Sequence, residues 1–209
     1  MQARLTLRAS AFPRVRLVTD RFHVQQLISE VLQEIRVAER RDAFKEENEA
    51  IKLARKEKRN YRPKLHANGD TKKQLLARSR HLLFKPDNRW HEQHKERAAI
   101  LFAEYPKLKK AYNLSMLFRS CYEYSKTKEI AKQKLTAWYE KIEASGIDEF
   151  LVPVETIRLH ENTILNYFVN RSTNAAAESF NAKLKNFRAV VRGVADKKFY
   201  LFKVAKLYG

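Results

Sequence analysis

The stretch "VQQLISEVLQEI" (24–35) decides the architecture, because its apolar residues recur every three or four positions. This spacing places them on one face of an α-helix and predicts a helix packed against a core. The residues are Val24, Leu27, Ile28, Val31, Leu32 and Ile35. Comparable patterns and stop signals predict further helices over 71–84, 88–104, 107–122, 126–144 and about 153–168. We therefore expect residues 25–170 to form an all-helical module.

A strongly charged segment, residues 36–64, lies within this module. It holds eleven bases and six acids, and its apolar residues Val37, Phe44 and Ile51 are spaced seven apart. This seam is too narrow for a buried helix and predicts a projecting helix or helical hairpin arm, either solvated or in contact with DNA. "HANGD" (66–70) predicts a turn, and Thr71 with Gln74 predicts a capping box.

Only one segment predicts a β-strand, "RVRLVTD" (14–20), which is short, β-branched and bounded by Pro13 and Asp20. The preceding "RLTLRASAF" (4–12) predicts the end of a helix, because residues before proline avoid the helical region. A single strand cannot form a sheet. Its partner strands must therefore lie elsewhere.

The stretch "RSTNAAAESFNAKLKNFR" (171–188) predicts the last long helix, with Ser172 or Thr173 as N-cap. Its apolar stripe consists of Ala177, Phe180, Leu184, Phe187 and Val191. A different face carries Asn174, Glu178, Asn181 and Lys185. Glu178 is the only acid in this stretch. It is either an ordinary solvated helix residue or one member of a metal-binding set whose other members lie elsewhere.

The composition favours a polyanionic partner. Among 209 residues, 43 are lysine or arginine and 24 are acidic, a net charge of +19, which makes nucleic acid the expected ligand. Residues 183–206 hold eight bases and one acid, and we expect Lys183, Lys185, Arg188 and Arg192 to bind DNA phosphates. No apolar run approaches about 18 residues, so we expect no membrane contact. The single Cys121 and the lack of a signal peptide predict a cytoplasmic protein, which a DNA partner would place at the nucleoid.

Several motifs occur in an order that resembles bacterial insertion-sequence transposases of the DDE class, in particular the ISL-three family. They are "VTDRFHV" (18–24), "LFAEYPKLKKAYNLSMLF" (101–118), "WYEKIEASG" (138–146) and "TNAAAESFNAKLK" (173–185). The resemblance implies an RNase H-like catalytic sheet interrupted by a helical insertion. It also implies three acids that hold two Mg²⁺ or Mn²⁺ ions, and double-stranded DNA, both transposon ends and target, as the partner.

By this resemblance Glu178 is the third catalytic acid and a metal ligand, with Asn174 and Asn181 as auxiliary residues. Two roles remain open for Asp20. It matches either an auxiliary pair formed with His23 or the second catalytic acid of the family. In the first case both catalytic aspartates belong upstream of Met1, and the chain is a truncated C-terminal part of a transposase. We then expect it to bind no metal tightly and to be inactive alone. Whether it forms a homo-oligomer is left open.

The resulting fold class is mainly α, with an incomplete RNase H-like α/β core. Residues 1–24 would hold its last helix and strand, residues 25–170 the helical insertion, and residues 171–209 the glutamate helix and a basic C-terminal segment. His91 and His94 share a helix face but have no third ligand in the sequence, which favours an exposed polar face. The alternative function is a non-catalytic helical nucleic-acid-binding protein. Codons for two aspartate-bearing strands upstream of Met1 would separate the two readings.

Overall fold

The computed structural model describes residues 17–171, 175–191 and 196–208, with the backbone alone at 170 and 175–178. Helices dominate these ranges. They are α1 (Arg21–Lys56), α2 (Lys72–Arg78), α3 (Glu92–Glu104), α4 (Pro106–Tyr124), α5 (Lys128–Glu143), α6 (Leu151–Leu159), α7 (Glu161–Leu165), α8 (Tyr167–Asn170), α9 (Ala175–Val190) and α10 (Lys197–Tyr208). Short 3₁₀ turns lie at Leu82–Phe84, Asp87–Arg89 and Asp148–Phe150. The chain divides into two compact units, residues 1–170 and 171–209.

The first unit is built around α1, which packs against α4 and α2, while α5 packs on α4. The predicted stripe on α1 is confirmed: five of its six residues are buried, and Leu27 is half-buried. Trp138 lies fully buried at the centre, its ring centroid 4.8 Å from that of Phe118. Its indole Nε1 donates to the Leu114 carbonyl at 2.9 Å, so the one polar atom of this side chain is satisfied.

The charged segment 36–64 consists of the second part of α1 and the irregular residues that follow Lys56. Val37 and Ile51 are half-buried and Phe44 is 39% exposed, whereas Ala43 and Ala54 are buried. Because the side chains of Ala43 and Ala54 are small, the irregular segment that follows α1 can run back along the helix. Tyr61 of this segment lines a cavity of about 240 Å³ together with Ala43 and Ala50. The predicted capping box is confirmed, since Gln74 N–H donates to the Thr71 hydroxyl and Thr71 N–H to the Gln74 side chain.

The strand predicted over 14–20 is absent from its described part, because residues 17–20 have no regular secondary structure. Residues 14–16, like the helix end predicted over 4–12, lie outside the described residues. The 17–20 segment is instead tied to the α7 region. Thr19 N–H donates to the Thr163 carbonyl at 3.0 Å, and the Asn166 side chain donates to the Leu17 carbonyl at 2.9 Å. Among the described residues no strand is found that would confirm an RNase H-like sheet.

The single helix predicted over 153–168 is divided into α6, α7 and α8. The other predicted helices are present with shifted ends, and Pro153 lies in the first turn of α6, where its missing N–H costs little. Within the described residues, no helix is both long enough and apolar enough to cross a membrane.

Candidate functional site

Asp20 begins α1. Its backbone is extended, and its Oδ1 accepts a hydrogen bond from Phe22 N–H at 2.7 Å. This is the geometry of an N-cap, in which a carboxylate satisfies a free amide at the positive end of the helix dipole. The carboxylate therefore has a structural role that the strand prediction did not anticipate.

His23 follows in the first turn of α1 and is exposed. Its ring lies edge-on to Phe22, with centroids 5.9 Å apart. It also lines a cavity of about 330 Å³ between α1 and the α6–α7 region, together with Glu30, Thr156 and His160. Asp20 and His23, the predicted auxiliary pair, are thus neighbours along one turn. His160 was not singled out from the sequence, because the contact between α1 and α6 that places it there is long-range.

Glu178 lies in the first half of α9, and its side chain is outside the described part. Within the second unit, α9 packs antiparallel to α10 through aromatic rings. The ring centroids of Phe187 and Tyr200 are 5.7 Å apart, and those of Phe180 and Tyr208 are 6.2 Å apart. The Tyr200 hydroxyl donates to the Leu184 carbonyl at 3.2 Å. Phe180 and Phe187, two residues of the predicted apolar stripe, therefore face α10.

Helical register separates the predicted DNA-binding residues of α9 into two groups. Lys185 and Arg188 lie on the same side of the helix as Glu178 and Asn181, since 3.6 residues complete a turn. Lys183 lies about 140° from Glu178 around the helix axis. Asn181 and the three bases are exposed. Asn174, Arg192 and the N-cap candidates Ser172 and Thr173 lie outside the described residues.

The chain matches a family model described as transposase, DDE_Tnp_ISL3, over residues 2–204. The chain belongs to this transposase family. No curated protein and no solved structure matches it. Transposases of the family act on DNA and generally use divalent metal ions.

A complete metal site of this transposase family is not found in the described residues. They contain no group of three or more histidine, cysteine, aspartate or glutamate side chains that could hold an ion. The rings of His91 and His94 are tilted against each other with centroids 5.7 Å apart, and His91 is exposed, but no third ligand joins them among the described residues. Partial burial and the nearby charges of Lys85, His91 and Arg97 lower the pKa of His94. The described residues therefore do not by themselves supply the ligands of a two-metal centre.

Proposed function

We propose that this chain serves the transposition of an insertion sequence and binds double-stranded DNA through phosphate contacts. The family match over residues 2–204 carries this proposal. The protein would work on transposon ends and target DNA in the cytoplasm, at the nucleoid.

The basic face of α9 supports DNA as the ligand. Lys185 and Arg188 are exposed, and no base of the described parts of α9 and α10 forms an ion pair with a carboxylate. Unpaired lysine and arginine side chains gain most by neutralising phosphates, because each contact releases a condensed counterion. Asn181 lies between these bases and Glu178 on the same side of the helix, where its amide can bond a phosphate or a carboxylate.

Glu178 would supply one carboxylate to the metal-dependent reaction. A rigid helix holds a carboxylate more accurately than a loop, which suits an ion that demands near-octahedral oxygen ligands. One carboxylate cannot hold two metal ions about 3.5–4 Å apart, which is the separation that in-line displacement at phosphorus requires. We therefore expect the 209-residue chain by itself to bind DNA without cutting it.

Both parts of this proposal can be measured on the purified chain. We expect the logarithm of its affinity for duplex DNA to fall linearly with the logarithm of the salt concentration, by about 0.9 per neutralised phosphate. With Mg²⁺ or Mn²⁺ added, the bound duplex should remain intact. A flat salt response would refute phosphate-driven binding, and nicking that disappears in Glu178→Gln would refute the expected inactivity of the chain alone.

A second candidate is a non-catalytic helical nucleic-acid-binding protein. It is favoured by one observation, the use of the Asp20 carboxylate as a helix cap rather than as a free ligand. In that case Glu178 has no metal role, and neutralising it would leave every DNA-dependent activity of the protein unchanged.

A further inference from the structure

The charge of α1 and the residues after it changes sign along the chain. Residues 21–50 hold five bases and seven acids, whereas residues 51–64 hold seven bases and one acid. The seven bases of this second group, hereafter the basic segment, are Lys52, Arg55, Lys56, Lys58, Arg59, Arg62 and Lys64. Basic residues in a last helical turn offset the helix dipole, but only Arg55 and Lys56 lie in that turn. The other five need a different explanation.

All seven side chains are exposed, and of these only Arg59 forms an ion pair within the described residues, with Glu57. Two acids earlier in α1 are engaged by lysines of α2. Glu46 accepts from Lys72 at 3.0 Å, and Glu47 pairs with Lys73, so α2 neutralises part of the acidic stretch. Apart from Arg59, the bases of the basic segment therefore have no ion-pair partner among the described residues.

The backbone of the basic segment is held in a defined course. Lys58 has φ +53° and ends α1 in a Schellman motif, in which Lys58 N–H donates to the Arg55 carbonyl at 3.1 Å and Arg59 N–H to the Ala54 carbonyl at 3.0 Å. Glycine is the usual residue at such a position, because a side chain there costs roughly 1 kcal/mol. Lys58 thus places a charged side chain at a position where the backbone conformation favours glycine.

The far end of the irregular segment is anchored by a buried carboxylate. Asp70 is fully buried, pairs with Arg78, and accepts from Arg97 Nε at 3.3 Å and from the Asn68 side chain at 3.1 Å. Tyr61 and Pro63 line the cavity against α1. The bases between these fixed points are therefore presented by an ordered backbone.

We propose that the basic segment is a binding surface for the phosphate backbone of duplex DNA. This inference rests on the proposed function and adds a DNA contact in the first unit. Backbone contacts need exposed lysine and arginine and no base-reading groups. The only aromatic residue of the segment, Tyr61, is half-buried and lines the cavity against α1, so it is no platform for the unstacked bases of single strands. Leu53 is the only exposed large apolar residue among residues 51–64, and Leu65 follows directly after them, which is too few for insertion into a lipid surface.

The test compares two variants of the 209-residue chain that lose four charges each. The segment variant carries Lys52→Gln, Lys56→Gln, Arg62→Gln and Lys64→Gln. Its matched control carries Lys109→Gln, Lys126→Gln, Lys132→Gln and Lys141→Gln, at exposed positions of α4, α5 and the turn between them that form no ion pair within the described residues. Glutamine preserves helix propensity, and circular dichroism checks that both variants fold.

Binding of a duplex of about 30 base pairs is measured from about 50 to 300 mM salt, with an RNA duplex and phosphatidylserine vesicles as competing ligands. The segment variant should bind DNA at least tenfold more weakly near 150 mM, with a log–log slope shallower by up to about 3.6, since each lost phosphate contact removes about 0.9. The log–log slope of the control variant should become shallower by less than half as much as that of the segment variant. Equal slopes for the segment variant and the wild type, or equal losses in the two variants, would overturn the proposal. So would a wild-type chain that does not bind DNA, or a loss confined to RNA or vesicles. The proposed function is tested separately by excision of the element. Excision should depend on Glu178, whereas the salt dependence of DNA affinity tests only the basic segment.

Discussion

Asp70→Asn is predicted to destabilise the first unit by about 3 kcal/mol. The asparagine keeps the volume of the side chain but removes the negative charge that Arg78 and Arg97 share. Removing one partner of a buried ion pair costs about 3–5 kcal/mol, because the remaining charge is left uncompensated. The side chains of Arg78 and Arg97 are 56% and 22% exposed, so water compensates part of this loss and places the value near the lower bound.

Urea unfolding followed by tryptophan fluorescence measures this loss, because both tryptophans, Trp90 and Trp138, lie in the first unit. With a slope of about 2 kcal/mol/M, 3 kcal/mol moves the midpoint by about 1.5 M. The matched control is Asp42→Asn, whose carboxylate pairs with Lys45 at 2.7 Å on the surface, both side chains being more than half exposed. It should cost less than about 1 kcal/mol. Equal midpoints for the two variants would refute the argument that Asp70 anchors this region.

Three further outcomes are expected. Lys58→Gly should stabilise the chain by about 0.5–1 kcal/mol in urea unfolding, because glycine adopts φ +53° without strain; destabilisation would contradict the observed cap. Trp138→Ala should lower the free energy of unfolding by about 3–5 kcal/mol, measured by urea unfolding followed by circular dichroism. The control is Trp90→Ala, because Trp90 is half-buried. A loss in Trp138→Ala no larger than that in Trp90→Ala would contradict the buried position of Trp138. Cys121 is buried, and desolvation raises its pKa to about 11, so little reactive thiolate exists at pH 8. Its reaction with a disulfide reagent should therefore be at least a hundredfold faster in denaturant than in the native chain. Equal rates would show that the thiol is accessible in the native chain.

The sequence was sufficient for elements whose pattern is local. The α1 stripe, the capping box at Thr71 and the turn at 66–70 follow from spacing and residue type, and the structure confirms them. Long-range packing could not be predicted in this way. Arg36 is buried because its guanidinium donates to the Leu76 carbonyl at 3.0 Å, a partner forty residues away. The division of 153–168 into three helices has no proline or glycine signal inside the predicted range after Pro153.

The candidate site was predicted less completely, for a physical reason. "RLVTD" (16–20) combines β-branched residues with an aspartate, and an aspartate can either end a strand or cap a helix. The structure shows the cap at Asp20, because the following amides belong to the first turn of α1. On α9 the periodicity identified the face that meets α10, but the list of bases alone did not show that Lys183 points away from the side shared by Lys185 and Arg188.

Excision of the insertion sequence by the gene in its own genomic context, with any in-frame codons upstream of Met1 included, tests the central claim most directly. Donor molecules that have lost the element are counted for the wild type, for Glu178→Gln, and for Glu140→Gln, an exposed glutamate on α5 without an ion pair among the described residues. The proposed function predicts that Glu178→Gln lowers excision more than a hundredfold and that Glu140→Gln leaves it unchanged. Excision at the wild-type level in Glu178→Gln would contradict a role for this carboxylate in the transposition reaction.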